Sequence, residues 1–155
     1  MQRVVAWSAA AAVPYIAIKT YWAAGGRAGL PDGFDVAGEF EKNGSPQVLV
    51  WLERHGIDFT AVLALAGLAL AFALVRPWGR HFPRKLLLAP AWAGTLLIPY
   101  GLLTTVLAVA GYASGRAEPG PAMTGWIVPA GVGAFLGIGT ALGAGAWSQR
   151  SNPPS

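Results

Sequence analysis

The sequence predicts an all-α, polytopic membrane protein built as a bundle of four transmembrane helices. Three observations lead there. Hydrophobic residues make up 54% of the chain and charged residues 12%, about half the ~25% of soluble domains. Four apolar stretches alternate with polar ones. The charge is also sorted: residues 76–85, RPWGRHFPRK, hold Arg76, Arg80, Arg84 and Lys85 and no acid. Retained Lys and Arg mark the cytoplasmic side of a membrane. At 155 residues the chain is one domain.

The first stretch covers residues 4–24, with Trp7 and Trp22 placed like interfacial anchors. Its uncharged part stops at Lys19, short of the ~20 residues a span needs. The span therefore takes in Lys19, whose amine reaches toward the outer headgroups. A cleaved signal peptide is the competing reading, and Lys19 and the bulky Trp22 argue against that cleavage pattern.

Residues 25–46 are rich in Gly, Asp, Glu and Pro and read as an extracytoplasmic loop. Next, QVLVWLERHGIDF looks like an interfacial turn of helix entering a second span at 57–75. Residues 76–85 form the cytoplasmic loop. The third span, 86–112, carries no charge before Arg116, and the fourth, 121–147, none between Glu118 and Arg150. The tail SQRSNPPS is short and polar and reads as disordered.

This places Arg3, Arg76, Arg80, Arg84, Lys85 and Arg150 inside, with both termini cytoplasmic in the plasma membrane. All seven acids (Asp32, Asp35, Glu39, Glu41, Glu53, Asp58 and Glu118) fall outside. The net charge of +4 invites a nucleic-acid reading. The basic residues lie at helix ends rather than on one soluble face, so their partners are anionic lipid headgroups at the 76–85 loop. With no cysteine, disulfides, thiolate metal sites and CxxC redox chemistry are excluded.

Residues 13–26, VPYIAIKTYWAAGG, echo residues 98–111, IPYGLLTTVLAVAG. Each has an aliphatic-Pro-Tyr triplet, a Thr six residues past the proline, and Gly at the exit. The echo admits two parallel helical-hairpin repeats, with chance as the alternative. Pro14, Pro99, Pro90 and Pro129 are candidate kinks.

An ionisable group inside a span is a functional candidate by default. Tyr15, Lys19 and Trp22 share a helix face at i, i+4 and i+7, and Tyr100 and Thr104 form a similar pair on the third span. Glu53 and Asp58 enter the second span from the same outer side. Together these seven residues are the candidate lining of an outer-leaflet ligand pocket, with Lys19 paired to Glu53 or Asp58. The alternative is that Lys19 snorkels. Arg54 and Asp58, at i, i+4, can also pair.

No metal site or cofactor follows from the sequence. The two histidines, His55 and His81, lie near interfaces, which argues against a haem buried between spans. Residues 29–44 lack the ligand order of an EF-hand, and GRAGLPDG lacks the Walker lysine and serine. In residues 131–147, Gly133, Gly137, Ala141 and Gly145 form a small-residue stripe for close helix packing. It serves either the monomer or the seam of a homodimer or larger membrane complex.

Residues 14–34, PYIAIKTYWAAGGRAGLPDGF, resemble the start of small uncharacterised four-span membrane proteins common in high-GC actinobacteria. The likeness rests on Trp22, Gly25, Gly26, Gly29 and Leu30. It implies a four-helix integral membrane protein and no particular activity. Three function classes stay open, and no catalytic residue is assignable. They are a non-enzymatic partner subunit or small-ligand or lipid binder, a lipid- or isoprenoid-modifying enzyme with an outer pocket around Lys19, and a small dimeric transporter. The absence of acids between Phe59 and Arg116 lowers the third.

Overall fold

The structure, a computed structural model, describes residues 1–115 and 126–151, all of whose regular elements are helical. Two stretches, Arg84–Gly111 and Ile127–Arg150, are each long and apolar enough to cross a membrane. Two bent helix pairs raise the total to four if each pair is one span.

Residues 4–24 do not form one helix. Helix α1 (Gln2–Ala10) and α2 (Val13–Ala23) meet at a 42° bend. Pro14 is the cause. It has no N–H to donate to the carbonyl of Ala10, and its ring crowds that turn. The third stretch repeats the device. Helix α6 (Arg84–Gly94) gives way to α7 (Leu97–Ala113) at Thr95 and Leu96, where Pro99 offers no N–H to the Thr95 carbonyl and Ile98 N–H donates to it instead at 3.1 Å. The Thr95 hydroxyl donates to Trp92 O at 2.6 Å and tightens the turn. Pro90 is carried inside α6. Pro129 stands in the first turn of α8 (Ile127–Ser151), where a missing N–H is harmless, so it makes no kink.

The expected loop 25–46 contains a short helix, α3 (Val36–Lys42), and leads to the amphipathic α4 (Gln47–Arg54). Helix α4 lies at 93° to α5 (Phe59–Val75). Gly56 makes that corner with φ +79°, a left-handed conformation that costs Gly least. Gly56 N–H donates to Glu53 O at 3.1 Å and Ile57 N–H to Leu52 O at 3.0 Å, a Schellman closure. A Cβ on Gly56 would also press on Ala23 O at 3.3 Å, so the corner is seated on the end of α2. Residues 116–125 and 152–155 lie outside the described residues. With them go Arg116, Glu118, the start of the expected fourth span and the last residues of the tail.

Helices α5 and α8 pack together as a central pair, with α1–α2 and α6–α7 on their flanks. The core is small: Ala64, Ala71, Ala91, Ala134, Ala141 and Ala146 sit with Val5, Leu74, Ile138 and Leu142. Alanine and glycine on α8 let backbones approach closely. A Cβ on Gly133 would lie 3.0 Å from Ala11 O, and one on Gly137 3.0 Å from Ala11 Cβ. One on Gly145 would lie 3.1 Å from Leu74 Cβ, and Ala141 is fully buried. The small-residue stripe is thus used within the chain, against α1 and α5. The outer surface is apolar, with Leu63, Leu86, Leu96, Leu103, Val106 and Leu107 each more than half exposed.

The two ends differ in charge. One end carries Arg3, Arg76, Arg80, Arg84, Lys85 and Arg150, all exposed. There Gln2 donates to Val75 O at 3.1 Å and Gln149 to Leu74 O at 2.6 Å. Arg84 donates to Gln149 O, and Arg150 stacks over Trp92 at 4.9 Å. A 3-10 turn, Pro77–His81, joins α5 to α6. The acids of the described residues all lie at the opposite end.

Candidate functional site

The acidic end is organised around Lys19. On α2, the i, i+4, i+7 spacing turns Tyr15, Lys19 and Trp22 to one side. Lys19 Nζ lies 2.6 Å from Asp58 Oδ2, with the two side chains 11% and 0% exposed. Asp58 is held there because it is the N-cap of α5. Its Oδ1 accepts from Ala61 N–H at 2.8 Å and from the Thr60 hydroxyl at 2.5 Å. A side-chain oxygen at this position satisfies N–H groups that the first helical turn leaves unpaired. Tyr15 OH donates to Thr60 Oγ1 at 3.0 Å, so α2 and α5 are joined by the chain Tyr15, Thr60, Asp58, Lys19.

Aromatic rings enclose the ammonium. It lies 5.6 Å from the Trp22 ring centre and 5.4 Å from that of Phe40, and the faces of such rings attract cations. Phe40, on α3, meets Phe59 edge-on at 5.5 Å. Trp22 Nε1 donates to Ala28 O at 2.9 Å. Ile18, Trp22 and Ile127 form a small second core with Leu30 against it. The acidic segment is therefore a folded cap over the Lys19 pair. Its own surface pairs are exposed: Arg54 with Glu41 at 2.8 Å and Lys42 with Glu39 at 2.9 Å.

Glu53, on the inner side of α4, is 6% exposed, and among the described residues neither carboxylate oxygen accepts a hydrogen bond. Burial first, and the nearby Asp58 charge second, push its carboxyl up to about 7, with Lys19 opposing.

Beside the pair runs a groove of about 350 Å³. Its walls are Tyr15, Ile18, Lys19 and Trp22 of α2 and Thr104 and Thr105 of α7. Its floor is α8, from Ile127 to Phe135. The groove exists because α2 and α7 both pack on α8 and hardly on each other. Gly131 deepens the floor, since a Cβ there would meet nothing within 4 Å.

Of the seven expected pocket residues, Tyr15, Lys19, Trp22 and Thr104 line the groove, Asp58 stands behind Lys19, and Glu53 lies beneath α4. Tyr100 does not line it. Its side chain is 56% exposed and its ring meets Phe135 edge-on at 5.5 Å. Arg54 does not pair with Asp58, because the helix ends at Arg54 and the Gly56 corner breaks the i, i+4 geometry. Phe40, Thr60 and Phe135 do not stand out in the sequence as pocket residues, and Thr105 stands out there only as the Thr of the Pro-Tyr echo. Asp58-x-Thr60 at a helix start is a capping signal that points to Thr60, whereas Phe40 carries no such signal. Among the described residues no three His, Asp or Glu side chains gather as a metal would need.

No protein-family model matches the chain, and no match was found among curated proteins or solved structures.

Proposed function

We propose that this chain is a non-enzymatic plasma-membrane protein of four crossings, with both termini cytoplasmic, that holds a neutral single-chain lipid or similar amphiphile in the α2–α7–α8 groove. The bent pair α1–α2 counts as one crossing and α5 as another, with α4 lying along the outer surface before the second crossing begins. On this reading the basic end faces the cytoplasm and its anionic headgroups, and the groove opens in the outer leaflet. The two Pro-Tyr helix breaks belong to two parallel hairpins, α1–α5 and α6–α8.

The single observation that carries the reading is the groove's chemistry. Its wall is chiefly apolar, and elsewhere on its surface α7 leaves Leu103, Val106 and Leu107 more than half exposed. An acyl or isoprenyl chain enters such a groove from the bilayer without crossing water. The polar groups suit a neutral head. Lys19 is already balanced by Asp58, so no surplus charge selects an anion. Thr104 and Thr105 donate their hydroxyl protons to backbone carbonyls of α7, which leaves their oxygens as acceptors for a hydroxyl on the ligand.

Native mass spectrometry of protein extracted in mild detergent tests this. Wild type is expected to retain one lipid per chain, and Gly131→Phe, which fills the floor, to lose it while keeping its fold. Retention by a folded Gly131→Phe protein, or no lipid on wild type, would contradict the reading.

A further inference from the structure

Helix α4 turns toward the protein interior a carboxylate that lipid binding does not use. Glu53 is 6% exposed and neither oxygen has a hydrogen-bond partner among the described residues. The neighbouring Asp58 is buried and already holds Lys19. The cluster thus sets two carboxylates against one ammonium. An ionised carboxylate out of water and without a partner is costly enough that it neutralises instead.

The other charges around it are engaged or outward. On α3, Glu41 is paired with Arg54 and Glu39 with Lys42, and Asp35 is exposed. On α4, Arg54 is held by Glu41, and His55 is exposed and stacked on Trp51 with ring centres 4.1 Å apart. Helix α5 presents Asp58 and α2 presents Lys19.

We propose that Glu53, Asp58 and Lys19 form a binding site for one positive charge beneath α4, filled by a proton carried on the Glu53 carboxyl. With Lys19 at +1, Asp58 at −1 and Glu53 protonated, the cluster is neutral. Deprotonation releases one proton to the outer medium and leaves a net charge of −1. A proton fits better than a metal ion. A hard cation needs several converging oxygens, and among the described residues no three acidic or histidine side chains gather. Burial and Asp58 raise the Glu53 carboxyl to about 7. This site stands whether or not the groove holds a lipid.

Infrared difference titration of the full chain in lipid nanodiscs tests it. Wild type is expected to show a carboxylic C=O band with a midpoint near pH 7, absent from Glu53→Gln and equal in sodium and choline chloride. Asp58→Asn is expected to lower that midpoint, because it removes a repelling charge and frees Lys19 to face Glu53. Three results would overturn the proposal: titration in the ordinary carboxylate range, a band that persists in Glu53→Gln, or a midpoint lowered by sodium relative to choline. If Glu53→Gln does not fold, an unchanged midpoint in Asp58→Asn overturns it alone.

Discussion

Lys19 Nζ and Asp58 Oδ2 meet at 2.6 Å inside the protein, and the same Asp58 caps α5. One carboxylate thereby fixes the start of one helix and the side chain of another. Removing one member of a buried pair strands the other, at a typical cost of about 3–5 kcal/mol. Lys19→Met is expected to destabilise on that scale. Asp58→Asn retains a good capping side chain, so adding it to Lys19→Met should recover a large part of the loss. Thermal unfolding of the two single variants and the double variant in detergent reads this. Strict additivity would mean that the two residues are not coupled.

Two glycines on one helix should respond oppositely. Gly137 lies against α1 near Ser8 and Ala11, whereas Gly131 faces the open groove. Gly137→Leu is expected to destabilise by about 1–3 kcal/mol, the usual scale of overpacking. Gly131→Leu should be neutral or slightly stabilising, since replacing a helical glycine restores up to about 1 kcal/mol of propensity. Melting temperatures decide, and equal values for the two variants would contradict the packing of α8.

Much of this was legible in the sequence because hydropathy and charge are local signals. The apolar stretches and the basic 76–85 segment located the helices, and the i, i+4, i+7 spacing put Tyr15, Lys19 and Trp22 on the groove. The bend at Pro14 also followed from local chemistry. The sequence did not reveal the direction taken at Gly56. That corner sends α4 across the end of α5, buries Glu53, diverts Arg54 to Glu41 and brings Phe40 over Lys19. Contacts made by folding one segment back over another leave no periodic trace. Tyr100 shows the converse: it shares a face with Thr104, but its ring meets the floor residue Phe135 edge-on without itself lining the groove.

Glu53 gives a pH dependence with a definite sign. Its carboxyl moves from 4.5 up to about 7 on folding, so between those values the folded chain binds a proton that the unfolded chain has lost. Stability from this group is full below the unfolded value, falls as pH rises through the folded one, and is level above it. The melting temperature of wild type relative to Glu53→Gln should therefore drop between pH 4.5 and about 7. A constant difference across that range, or one that rises, would contradict the burial of an unpartnered Glu53.

The proposed opening of the groove in the outer leaflet and the proposed release of a proton to the outer medium both depend on one orientation, with the acidic end outside. The chain has no cysteine, so single introduced thiols report sidedness without background. Asn43 lies between α3 and α4 at the acidic end, and Ser151 ends α8 at the basic end. In intact cells treated with a membrane-impermeant maleimide, Asn43→Cys is expected to label and Ser151→Cys to label only after the membrane is opened. Labelling of Ser151→Cys with protection of Asn43→Cys, or labelling of both before the membrane is opened, would contradict the account.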